Sequence, residues 1–110
     1  MGRFVKGDIV VVPFPFSDLS ATKRRPALTL VDLQGDDLIL CQITSQNVRD
    51  DMAIAIDVTD IDNETLNSAS NVRPNRLFTA DENIVVKSVG KLKSDKLNEV
   101  VAKVVDMFQN

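Results

Sequence analysis

Three short polar runs in this 110-residue chain carry residue types that could bind or act on a phosphate: Lys23-Arg24-Arg25-Pro26, Thr44-Ser45-Gln46 and Arg73-Pro74-Asn75-Arg76. Guanidinium groups grip phosphate oxygens through paired hydrogen bonds and stay charged at physiological pH. The sequence places Lys23, Arg24 and Arg25 in a loop closed by Pro26, where they could converge on one phosphate. Pro26 also biases Arg25 towards an extended backbone, which fixes its direction. The plainer alternatives are a solvated basic loop for the first run and a capped strand end for the second. The chain has no histidine, so the commonest general acid–base and the commonest metal ligand are both missing. A single cysteine, Cys41, rules out an intrachain disulfide and a cysteine-based zinc site. Its apolar surroundings, Leu38 to Ile43, suit a buried small residue better than a reactive thiol. Any chemistry must then run on Arg, Lys, Asp, Glu, Ser, Thr or the backbone.

The composition narrows the setting. Acidic residues outnumber basic ones 16 to 13 for a net charge of −3, and the pI is about 4.8. That balance argues against a broad electrostatic grip on nucleic acid, so binding must rest on a local groove. The length suits one domain, 1–110, with one modest core. Hydrophobic residues at 44% and charged residues at 26% are ordinary for a globular protein. No apolar run approaches the roughly 20 residues of a membrane helix. The start, Met1 to Lys6, runs straight into a strand-like segment with no signal peptide in view, which makes the cytoplasm the expected location and no membrane a partner.

The elements that must position these runs are mostly strands. Ile9-Val10-Val11-Val12 is a β-branched run suited to a strand buried on both faces, with Pro13 and Pro15 expected to end its pairing. Residues 17–25 read as a loop. Ala27 to Asp32 and Leu38 to Thr44 form a hairpin around Gln34-Gly35-Asp36-Asp37. Ala53 to Val58 is a short strand after the polar connection Asn47 to Asp51, and Asp60 to Ser70 reads as loop with room for one helical turn. Val72 to Thr79 and Ile84 to Val89 are the last strands, separated by a turn at Asp81-Glu82-Asn83, and Gly90 closes the β region. Ser94 is the expected N-cap of a terminal helix with Asp95 in its first turn. Leu97, Val100, Val101, Val104, Val105 and Phe108 form one apolar stripe on that helix, suited to packing on the sheet. Short strands followed by one helix indicate a mainly β fold, a small and strongly bent sheet or barrel.

Hairpin geometry gives the first spatial statement. Arg25 precedes the second strand and Thr44 ends the third, so their side chains should be neighbours at one sheet edge. An Arg beside a Thr hydroxyl makes a site for a phosphate oxyanion.

The run Gly7-Asp8-Ile9-Val10-Val11-Val12-Pro13-Phe14-Pro15-Phe16, then Arg25-Pro26-Ala27-Leu28, then Ile43-Thr44-Ser45-Gln46, resembles the MazF/PemK toxins of bacterial toxin–antitoxin modules. The ending is similar too, through Val72-Arg73, Arg76-Leu77-Phe78-Thr79, Val89-Gly90-Lys91-Leu92 and the terminal helix. The likeness spans about residues 5 to 108 in the family's order. It implies an SH3-like β-barrel with a C-terminal helix, a homodimer, and a cognate antitoxin whose acidic and apolar tail covers the active groove. It also implies a metal-independent, cofactor-free endoribonuclease that cuts single-stranded RNA at specific sequences. In the implied reaction the ribose 2′-hydroxyl attacks the adjacent phosphorus, leaving a 2′,3′-cyclic phosphate and a 5′-hydroxyl.

By the same resemblance Arg25 stabilises phosphate charge, with proton donation a further role open to it, and Thr44 hydrogen-bonds the phosphoryl oxygen in the transition state. Lys23, Arg24, Ser45, Gln46, Arg73, Asn75 and Phe16 are the implied RNA contacts, and Phe14 and Phe16 flank the loop as candidates for base stacking. Two departures bear on proton transfer. Some members place a histidine in the first loop, and some read Arg-x-Asp where this chain has Arg73-Pro74-Asn75. A guanidinium is a poor base, its ordinary pKa being about 12.5 or above, which leaves Asp18 or another loop carboxylate for that task. Two rival readings are a barrel that binds without cutting and a related gyrase poison. The second is disfavoured because those proteins end in Trp-Gly-Ile and this chain has no tryptophan.

Overall fold

The computed structural model describes residues 4–14, 23–45, 50–62 and 69–110, and of Phe14 the backbone alone. Seven strands form one antiparallel, strongly curled sheet: β1 (Asp8–Phe14), β2 (Lys23–Asp32), β3 (Asp37–Thr44), β4 (Ile54–Ile56), β5 (Ile61–Asp62), β6 (Ser70–Asp81) and β7 (Lys87–Leu92). Their order across the sheet is β4-β6-β3-β2-β1-β7-β5, and helix α1 (Ser94–Gln109) follows. The mainly β fold with a terminal helix is as expected.

The β-branched run of β1 is buried on both faces. Ile9 belongs to the cluster with Leu28, Cys41, Ile43, Val72 and Val100. Val10 and Val12 face a second cluster with Ala27, Leu38, Leu40 and Ala80. Strand alternation accounts for this division: neighbours along β1 point to opposite faces, and each face is covered. Cys41 is fully buried, and burial pushes its thiol up to about 12, a core residue rather than a nucleophile.

Several boundaries differ from those expected. Pairing does not stop at Pro13: Pro13 lies opposite Arg24 and Phe14 opposite Lys23. β7 accompanies β1 only from Asp8 to Val11, so Pro13 sits where β1 has one paired neighbour and a missing N–H is tolerated. For the same reason Lys23, Arg24 and Arg25 are strand residues, not loop residues. After β6, the Asp81 carboxylate accepts the Asn83 N–H at 2.8 Å and caps a 3-10 turn, Glu82–Ile84. That turn delays β7 to Lys87 and leaves Ile84 and Val86 exposed. β7 in turn continues past Gly90 to Leu92. A 3-10 turn stands at Val58–Asp60, and Ile61–Asp62 pairs with β7, while residues 63–68 of the expected loop lie outside the described residues.

Helix α1 begins one residue earlier than expected. Lys93, not Ser94, is the N-cap residue and makes no side-chain cap bond. Its N–H is taken by the Asp60 carbonyl at 2.8 Å, and its own carbonyl accepts the Leu97 N–H at 2.9 Å, so backbone bonds seat the helix start. The apolar stripe docks through Val100, fully buried, with Leu97, Val101 and Val104 packed beside it. Gly7, at φ 98°, lets the chain pass under the helix: a Cβ there would stand 3.3 Å from a Leu97 methyl. The stripe does not stay in the core to its end, since Val105 and Phe108 are exposed.

Candidate nucleic-acid interface

The β2–β3 register sets the geometry of the interface. Ala27 lies opposite Gln42. Continuing that register by two residues brings Arg25 opposite Thr44, at the end of the hairpin away from its turn. Across β3, Gln42 lies opposite Arg73 and Thr44 opposite Asn71 on β6. Paired residues share a face and alternate residues return to it, so Arg25, Gln42, Thr44, Asn71 and Arg73 project from one face of three adjacent strands. Arg25 and Arg73 are half-buried, Thr44 and Gln42 are buried, and Lys23 is exposed.

The basic triplet is divided by the same alternation. Lys23 and Arg25 share the face that carries Thr44, whereas Arg24 lies opposite Pro13 and points to the other. A strand cannot aim three consecutive side chains at one phosphate, so the expected convergence of Lys23, Arg24 and Arg25 reduces to two of them. Ser45 is exposed just past β3 and borders a cleft of about 550 Å³ with Asn71, Asp57, Asp60 and Lys96. The Asp57 carboxyl is held below the usual carboxylate range, first by the Thr59 hydroxyl at 2.6 Å and then by its N–H at 2.8 Å. Gln46, Phe16 and the candidate base Asp18 lie outside the described residues, as does the Phe14 side chain.

A break in the β3–β6 ladder shapes the second basic run. Cys41 lies opposite Leu77, but the next residue, Gln42, lies opposite Arg73. Pro74, Asn75 and Arg76 are therefore left out of the ladder as a wide bulge, where Pro74 has no N–H to lose. Pro74 itself is fully buried, which anchors the bulge and leaves Asn75 and Arg76 exposed on it.

Nothing in the local sequence singles out Asp50, which the structure brings to this face. Arg73 Nη2 donates to its Oδ2 at 3.1 Å, and the Met52 N–H donates to its Oδ1 at 3.0 Å. The Asn75 side chain also favours the ionised carboxylate. These bonds hold the Asp50 carboxyl below the usual range: the Met52 N–H contributes most, Arg73 and Asn75 add to it, and partial burial opposes them. An aspartate bonding an N–H two residues on is a legible turn signal; its partner 23 residues away on β6 is not.

Comparison with solved structures places this fold among small toxin barrels. It is similar to an endoribonuclease from a mycobacterial species in complex with its cognate antitoxin, at 10% identity and a TM-score of 0.76, covering 97% of this chain and 96% of that one. It is likewise similar to MazF in the MazE–MazF complex of Deinococcus radiodurans (19% identity, TM-score 0.76, 96% of each chain). MazF alone from the same organism gives 19% identity and a TM-score of 0.74, with 97% of each chain covered. At these identities the likeness concerns the fold. No curated protein matches the chain in sequence.

The family itself follows from the sequence profile. The family described as PemK-like, MazF-like toxin of type II toxin–antitoxin system matches residues 5–108, and the chain belongs to it. Among the described residues no helix is long and apolar enough to cross a membrane.

Proposed function

We propose that this toxin is an endoribonuclease that cleaves single-stranded RNA without a metal, and that its catalytic pair is Arg25 and Thr44. The observation that carries this reading is the Ala27–Gln42 pairing, which, extended by two residues, sets Arg25 beside Thr44, with Arg73 opposite Gln42 on the neighbouring strand. In the proposed reaction the ribose 2′-oxygen bonds to phosphorus and the bond to the 5′-oxygen breaks, giving a 2′,3′-cyclic phosphate and a 5′-hydroxyl. Charge builds on the phosphoryl oxygens as this happens. Arg25 opposes that charge and Thr44 donates a hydrogen bond to it, a role that preorganised donors fill at low cost. Lys23 and Arg73 hold the flanking backbone. The cleft beside Ser45 offers Asp57 and Asp60 as acceptors and Lys96 as a cation to a neighbouring nucleotide. The same reading includes one toxin domain, a homodimer, a cognate antitoxin that covers this face, and action in the cytoplasm; the antitoxin-bound relatives support it.

The test is incubation of the purified chain with a long single-stranded RNA in EDTA, beside Arg25→Ala. Discrete fragments with cyclic-phosphate ends from the wild type alone are expected. Intact RNA with a folded protein would instead leave a barrel that binds without cutting.

A further inference from the structure

Arg73 would be an awkward side chain without Asp50. Its exposure is only 17%, that of Asp50 is 13%, and Arg73 Nε is buried with no hydrogen-bond partner among the described residues. A guanidinium pivots about its last torsions, and a single charge-assisted bond at Nη2 is enough to choose one orientation. That bond comes from Asp50, whose carboxylate is itself held in place by the Met52 N–H. The Ala53 N–H, bonded to the Asp50 carbonyl at 3.0 Å, closes the turn that carries it. Arg73 adjoins the fully buried Pro74, so the guanidinium that Asp50 holds springs from an anchored stretch of β6.

We infer that Asp50 is a positioning residue for RNA cleavage, clamping Arg73 so that the guanidinium meets RNA phosphate in one fixed orientation on the face it shares with Arg25 and Thr44. The inference rests on the ribonuclease reading above. Asp50 does not serve as the base in this arrangement. Its carboxyl is held below the usual range, and its two oxygens already accept from the Met52 N–H and Arg73 Nη2. A carboxylate placed this way orients its neighbour, and a misdirected neighbour can cost up to about 100-fold in rate.

The experiment uses Asp50→Asn, which keeps an oxygen for the Met52 N–H but cannot accept from Arg73 with both. Single-turnover cleavage by the folded variant is expected to fall roughly 10- to 100-fold, with a melting temperature within a few degrees of wild type. Combining Asp50→Asn with Arg73→Ala should cost no more than Arg73→Ala alone, since Asp50 acts through Arg73. Unchanged cleavage by Asp50→Asn, or fully multiplicative losses, would each overturn the clamp. If the wild type leaves RNA intact, the ribonuclease reading fails by itself. The clamp is then read by NMR of Arg73: slow guanidinium rotation in wild type, lost in Asp50→Asn, supports it, and free rotation in wild type refutes it.

Discussion

Arg25→Ala separates the catalytic reading from a purely structural one because its two costs differ in size. Arg25 is a half-buried strand residue opposite Val12, so its stem covers apolar surface and its loss should destabilise the fold by about 1 kcal/mol. For a chain of this length that lowers the melting temperature by roughly 4–8 °C, which leaves the protein folded at 25 °C. The catalytic cost is larger. Removing one preorganised donor from a developing oxyanion costs about 2.7–4 kcal/mol, or 100- to 1,000-fold in rate. Among the described cations of that face, Arg73 is already paired with Asp50, and Lys23 is a point charge on a flexible stem. Single-turnover cleavage of end-labelled RNA in EDTA, run beside a thermal melt, measures both costs. Arg25→Lys should fall between, about tenfold slower, because it keeps the charge and loses the paired hydrogen bonds. Cleavage by Arg25→Ala within about threefold of wild type would refute the assignment of Arg25.

Thr44→Val keeps the branched shape of a residue only 7% exposed and removes its hydroxyl; cleavage should slow by roughly tenfold or more if that hydroxyl serves the transition state, and an unchanged rate would leave it a strand-end residue. Val100→Ala, at the fully buried contact of α1, should cost about 2 kcal/mol in chemical denaturation, whereas Phe108→Ser, 71% exposed, should stay within about 0.5 kcal/mol; equal effects would mean that the helix does not dock as described. Cys41, with its thiol pushed up to about 12 by burial, should resist a thiol-labelling reagent in the native protein with no increase between about pH 7 and 9, and rapid labelling there would contradict its place in the core.

The strands were legible where local chemistry and tertiary context agreed. The β-branched run of β1, the Gly35 turn and the helix stripe each have one good solution. The boundaries failed where pairing overrode a local signal. Pro13 reads as a breaker, yet β2 pairs past it because the other side of β1 is open there. Ser94 reads as an N-cap, yet the Asp60 carbonyl and the Lys93 backbone fix the helix start. Both outcomes depend on a neighbour that no window of sequence contains.

The site was legible to the extent that hairpin geometry reaches. The turn alone led to the expectation that Arg25 and Thr44 are neighbours, but the Asp50–Arg73 contact spans β3–β4 and the β6 bulge and needed the fold. The fold also reconciles an acidic chain with a basic task. The ladder of β2, β3 and β6 is polar along its length: Asp32, Asp37, Asp81 and the nearby Asp36 gather at the hairpin turn, while Lys23, Arg25 and Arg73 lie towards the other end. β3 has 8 residues, so the two ends stand about 25 Å apart. Charges in water are screened over about 8 Å at physiological ionic strength. On the proposed function, RNA at the Arg25–Thr44 edge would feel the local cations together with Asp50, Asp57 and Asp60, and little of the four carboxylates gathered at the turn. A net charge summed over the whole chain misjudges such a surface, because what a phosphate meets is set by which strand end it approaches.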